Sequence, residues 1–128
     1  MSSRYHIRLS AVPTYSPANH EGTRNQRLIG RDNVGAQNLE VVLGTIQRGG
    51  GALPHAHPGV EQVCYLLEGT AHVEVGDDSF ELVAGEACFF PENALHVFQV
   101  TSPLARVLVV YGPPYEENPQ RVIRPRQA

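Results

Sequence analysis

The 128-residue chain contains no lysine and no tryptophan, one methionine and two cysteines. All ten basic side chains are arginines, and thirteen acidic residues leave a formal charge of −3. This balance excludes a broad cationic surface for phosphate backbones, so nucleic acid is not expected as a partner. Arg124 and Arg126 sit in a Pro-containing tail and read as a solvated end. Cys64 and Cys88 lie in apolar segments without Cys-x-x-Cys spacing, which excludes a disulfide framework and suggests buried free thiols. No apolar run is long enough to cross a bilayer, and Met1–Ser10 lacks the continuous apolar stretch of a secretory signal. No membrane partner is expected, and the expected location is cytoplasmic. Helical periodicity is nearly absent, and no internal repeat suggests a solenoid or a duplicated barrel.

What the chain does contain is a series of short β-branched runs bounded by Gly, Pro, Asn and Asp. The strands expected are Leu39–Gln47, His55–His57, Gln62–Leu67, Ala71–Val75, Phe80–Val83, Ala87–Phe90, His96–Val100 and Arg106–Tyr111. Gly76-Asp77-Asp78 marks the clearest hairpin, because these residues tolerate the positive φ of tight β-turns. Hydrophobic residues make up 41% of the chain, enough for one core. The fold class expected is all-β, one jelly-roll domain. Residues 1–36 read as an irregular arm on the barrel with one strand near Gln26–Ile29, residues 37–112 as the barrel, and residues 113–128 as an extended tail. The prolines of that tail suit an edge or a contact between copies.

His55-Ala56-His57 places two imidazoles two residues apart, which on an extended strand points both to one face. Histidines on strands are more often surface or hydrogen-bonded residues than ligands, so the pair alone is a weak signal. His96 begins another apolar strand and can bring a third imidazole to the same metal ion.

Here the sequence resembles the cupin superfamily. The first cupin motif runs Gly, five residues, His-x-His, three or four residues, Glu, six residues, Gly. This chain has Gly49, His55, His57, Gln62 and Gly69 in that frame. The second motif is matched by Gly85, Pro91, Asn93, His96 and Val100, with Asn93 in place of Gly and Val100 in place of Asn. Asn93 is a mild departure, because Asn also adopts left-handed backbone conformations. The resemblance spans residues 49–100. It implies a cupin jelly-roll barrel with one divalent metal ion inside, iron favoured, with nickel, manganese, zinc or copper as alternatives. It further implies a homodimer and a dioxygenase-type enzyme, with a lyase, decarboxylase, isomerase or non-catalytic binding protein as alternatives.

Gln62 stands where most metal-binding cupins carry Glu, and Glu61 stands immediately before it. Strand alternation puts Gln62 on the same face as Cys64 and Leu66 and turns Glu61 away, whereas a bulge at Pro58-Gly59 would restore Glu61 as ligand. The metal site expected is therefore His55, His57, His96 and Gln62, with Glu61 as the alternative. Neutral donors would leave the ion's +2 charge uncompensated and favour an anionic small-molecule ligand such as a carboxylate or an enolate. Cys64, Leu66 and Phe98 are expected to line the pocket, although Cys64 and Phe98 also suit plain core. His20 with Glu21, Tyr15 and Arg27 are weaker candidates, and His6 and His72 read as structural or exposed.

Overall fold

The computed structural model describes residues 3–17 and 20–116, apart from the side chains of His20 and Glu21. It contains eight strands: β1 (His20–Ile29), β2 (Glu40–His55), β3 (Glu61–Glu68), β4 (Thr70–Val75), β5 (Asp78–Val83), β6 (Ala87–Phe90), β7 (His96–Val100) and β8 (Leu104–Gly112). A single helical turn, α1 (Arg31–Val34), joins β1 to β2, with Asn33 Oδ1 accepting from the Gly30 N–H at 2.8 Å. The strands are hydrogen-bonded in the order β5-β4-β7-β2-β8-β3-β6, and β1 pairs with β2. This curled antiparallel sheet is the all-β jelly roll expected. No helix among the described residues is long and apolar enough to cross a membrane.

Two elements are much longer than expected, while β5 and β8 gain two and three residues. The segment Leu39–Gln47, from Glu40 on, and the start of His55–His57 fall in one continuous strand, β2, which ends at His55 and in which Gly51 stays paired, with Gln99 of β7. Glu40–Gln47 pairs with β8, and Gly51–His55 then pairs with β7. The strand expected at Gln26–Ile29 begins at His20 and follows β2 along nearly its whole length. Its inward positions include the buried polar residues Thr23 and Asn25, so the apolar alternation that usually reveals a strand is missing there.

The core sits between the two halves of the sheet and includes Val42, Leu66, Val73, Phe90, Val100 and Val107. Leu66 is completely buried, which contributes about 1.5–3 kcal/mol relative to exposure. The Gly76-Asp77 turn closes the β4–β5 hairpin with Val75 opposite Asp78. Gly69 joins β3 to β4 at φ +93°, and a Cβ there would lie 2.5 Å from the Leu104 carbonyl oxygen. Asn93 takes φ +66° in the turn before β7, the left-handed conformation its side chain tolerates.

Candidate metal centre

His55 closes β2 and His96 opens β7, and the two are register partners on neighbouring antiparallel strands. His57 follows just beyond the end of β2. All three are buried, with exposures of 2%, 3% and 2% for His55, His57 and His96. Their ring centroids are 4.3 Å apart for His55 and His96, 4.7 Å for His55 and His57, and 5.3 Å for His57 and His96. One nitrogen from each ring lies within 4.8 Å of the others.

Backbone carbonyls set the tautomers. The Leu53 carbonyl can only accept, so His55 donates Nδ1–H to it. His96 Nδ1–H donates likewise to the Ala94 carbonyl at 3.2 Å. Each ring therefore carries its lone pair on Nε2. His55 Nε2 lies 3.1 Å from His57 Nε2. Two nitrogens bound to one ion at about 2.1 Å and at right angles are about 3.0 Å apart. A shared proton satisfies one pair of nitrogens at that spacing; a cation satisfies three. The donor set thus fits a divalent metal ion, and these three histidines could hold one.

The walls are aromatic. Phe90 stacks on His96 with centroids 4.1 Å apart and planes 6° apart. On the other side, Tyr115 lies 4.6 Å and Tyr111 6.0 Å from the His57 ring. Sequence reading missed both tyrosines. In the sequence Tyr111 only ends an expected strand, and Tyr115 follows Gly-Pro-Pro in the expected tail.

Gln62 occupies an inward position of β3, 7% exposed, while Glu61 lies on the exposed face. Its register partners are Phe90 and Tyr111, the residues whose rings meet His96 and His57. Gln62 Nε2 donates to Cys64 Sγ at 3.4 Å, and its buried Oε1 has no protein partner. Cys64 and Cys88 are register partners whose thiols share a hydrogen bond. That bond, together with burial, pushes the Cys64 thiol well above its usual range, and the same bond holds Cys88 below it against the opposing effect of burial. No metal-capable cluster among the described residues includes a carboxylate.

Gln62, Cys64, Phe98, Tyr111, Thr23 and Asn25 help to line an interior cavity of about 30 Å³, room for one or two waters. Leu66 does not line it and is packed into the core. Thr23 and Asn25 were missed because β1 was expected to be shorter. Tyr15 and Arg27 lie outside this cavity, with the Arg27 guanidinium 5.1 Å from the Tyr15 ring centre. His6, Tyr15 and Arg27 together border a groove on the outside of the barrel. His72 bonds to Glu81 and Glu74 on the outer surface. The side chains of His20 and Glu21, and the tail from residue 117 with Arg124 and Arg126, lie outside the described residues.

Residues 42–111 match the family described as "Cupin domain". Germin-like protein 3-1 of Oryza sativa subsp. japonica is 32% identical over 82 residues, covering 60% of this chain and 36% of that protein. The chain spans 36% and 55% of the length of the curated relatives it matches. Among solved structures, the polyketide cyclase RemF of Streptomyces resistomycificus is 26% identical with a TM-score of 0.76, covering all of this chain and 88% of that one. KdgF of Halomonas sp. has the same TM-score at 19% identity, covering 87% of this chain and 96% of that chain. These structures share the barrel.

Proposed function

The chain belongs to the cupin family, and from that premise we propose that it is a mononuclear metal-dependent enzyme acting on a small, anionic, chelating molecule. The observation that carries this reading is the convergence of three buried imidazoles, those of His55 and His96 with their tautomers set from the backbone. His55, His57 and His96 hold the ion, and Gln62 offers Oε1 as a fourth donor or as the acceptor that orients a bound ligand. When bound, the metal supplies Lewis acidity and, if it is iron, reactivity toward dioxygen. With no carboxylate in the set, the ligand itself supplies the compensating negative charge. Phe90 and Tyr111 exclude water from the ligand and strengthen that attraction.

Two reaction classes use such a site. The family resemblance supports dioxygenase-type turnover at iron; nickel, manganese, zinc or copper would fit the same donors. A non-oxidative reaction is supported by the likeness to a polyketide cyclase along the whole chain. Two free, buried thiols suit the reducing cytoplasm in which we place the protein. Val63, Tyr65, Leu67 and Phe89 form an exposed apolar row on the outer face of β3 and β6, which supports pairing into a homodimer.

The test is metal analysis of untagged protein, followed by turnover assays on β-diketones, catechols and hydroxy acids in air and under nitrogen. About one metal ion per chain with oxygen uptake supports the dioxygenase class. Equal turnover under nitrogen supports the non-oxidative class. Protein that takes up no divalent metal at all would refute the proposal. Sedimentation analysis decides between dimer and monomer.

A further inference from the structure

Glu40, the first residue of β2, is a charged side chain in the interior, 1% exposed. Its Oε2 accepts from Arg27 Nε at 2.5 Å. Its Oε1 accepts from the backbone N–H of Tyr115 at 3.0 Å and of Glu116 at 2.9 Å. Arg31 Nε adds an ion pair to Glu116 at 3.1 Å. One buried carboxylate thus ties β1, β2 and the segment after β8 together. A buried ion pair is a poor source of net stability, because desolvation offsets much of its attraction. What this one supplies is placement: it fixes the backbone at residue 115, and the Tyr115 ring is thereby set 4.6 Å from His57 and 5.3 Å from Tyr111.

Tyr111 and Tyr115 border the histidines on the His57 side, and Phe90 covers His96. A flat, conjugated ligand whose oxygens reach the ion beside these rings gains aromatic contact; an aliphatic one does not. Resting on the metal-site reading above, we propose that Tyr115 is a ligand-contacting residue that selects planar conjugated anions, and that Glu40 is the positioning residue that holds it against His57.

The test uses the full chain loaded with Co(II), with 4-nitrocatechol as a planar chelating anion and azide as a small anion without an aromatic face. Tyr115→Ala and Tyr115→Leu are expected to keep the Co(II) content and the azide Kd. Both should weaken nitrocatechol binding about five- to tenfold. Tyr115→Leu keeps apolar burial and guards against a variant that misfolds. Glu40→Gln should reproduce the nitrocatechol loss with azide unchanged, and Glu40→Asp should recover part of it. A merely structural Glu40 would weaken both anions together, which refutes its positioning role. Co(II)-loaded Tyr115 variants that bind nitrocatechol as the wild type does would overturn the selection by Tyr115 and leave the metal site standing. Wild-type protein that binds no Co(II) would remove both.

Discussion

Gln62 gives its amide hydrogen to Cys64 Sγ at 3.4 Å, and this contact leaves Oε1 as a buried acceptor with no protein partner. An acceptor left unsatisfied in the interior costs about 1–3 kcal/mol, so this oxygen is a place where a cation or a donor would be bound with gain. Cys64 in turn shares a hydrogen bond with Cys88, so the amide is held at the end of a short chain of soft contacts.

Replacing Gln62 by Glu puts a formal charge where this chain has an amide. Attraction between opposite charges about 4 Å apart is worth up to about 4 kcal/mol near a surface, part of it offset by desolvation. Gln62→Glu is therefore expected to tighten divalent metal binding at least about tenfold and to weaken binding of anions to the loaded protein. Chelator competition measures the first and azide titration the second. Metal and anion affinities both unchanged in Gln62→Glu would show that this side chain does not face the ion.

The three imidazoles should act as a unit. His57→Ala removes one of the two nitrogens that stand 3.1 Å apart, and His96→Ala removes the ring stacked on Phe90. Each substitution is expected to lower metal content from about one ion per chain to below about one-tenth under the same chelator challenge. His72→Ala, altered at a surface histidine, should leave it unchanged. Metal content equal in all three variants would locate the ion elsewhere.

Much of this was legible in the sequence, for reasons that differ by residue. Strand alternation predicts that His55 and His57 converge, and they do although β2 ends at His55; the same rule puts Gln62 with Cys64 and leaves Glu61 outside. Asn93 could be read as a left-handed position from its chemistry alone. Tyr115 could not, because its placement depends on Glu40, 75 residues away in the chain, and no local pattern records a hydrogen bond between a buried carboxylate and a distant backbone N–H. Nor could the N-terminal half of β1, whose inward residues are Thr23 and Asn25; a polar cavity lining looks like a loop when only hydrophobicity is counted.

The left-handed turn before β7 offers a test of the backbone. Asn93→Gly removes the Cβ at φ +66° and is expected to be neutral or mildly stabilising. Asn93→Val puts a β-branched side chain there and should cost about 1–3 kcal/mol. Gly69→Ala should cost more than Asn93→Val, because its Cβ would also meet backbone at 2.5 Å. Urea unfolding ranks the three. A Gly69→Ala protein as stable as the wild type would contradict the turn between β3 and β4.

The pH dependence of stability has one identifiable contributor at the surface. His72 on β4 is the register partner of Glu81 on β5. Its Nδ1 lies 2.7 Å from Glu81 Oε1 and its Nε2 lies 3.2 Å from Glu74 Oε2. The hydrogen bond to Glu81 raises the imidazole above its ordinary value of 6.5, with desolvation opposing and the bond to Glu74 adding to the rise. A folded-state value above the unfolded one means that the native protein holds the proton more tightly. The stabilisation is fully present below the unfolded value and is lost as pH rises through the folded one. Both carboxylates are largely solvent-exposed, so the effect is modest and weakens with added salt. Thermal unfolding of wild type and His72→Gln, followed from about pH 5 to about pH 9 in low salt, should show curves that are furthest apart at the acid end and converge toward the alkaline end. Curves that stay parallel throughout would mean that the His72 proton is bound no more tightly in the folded state than in the unfolded one.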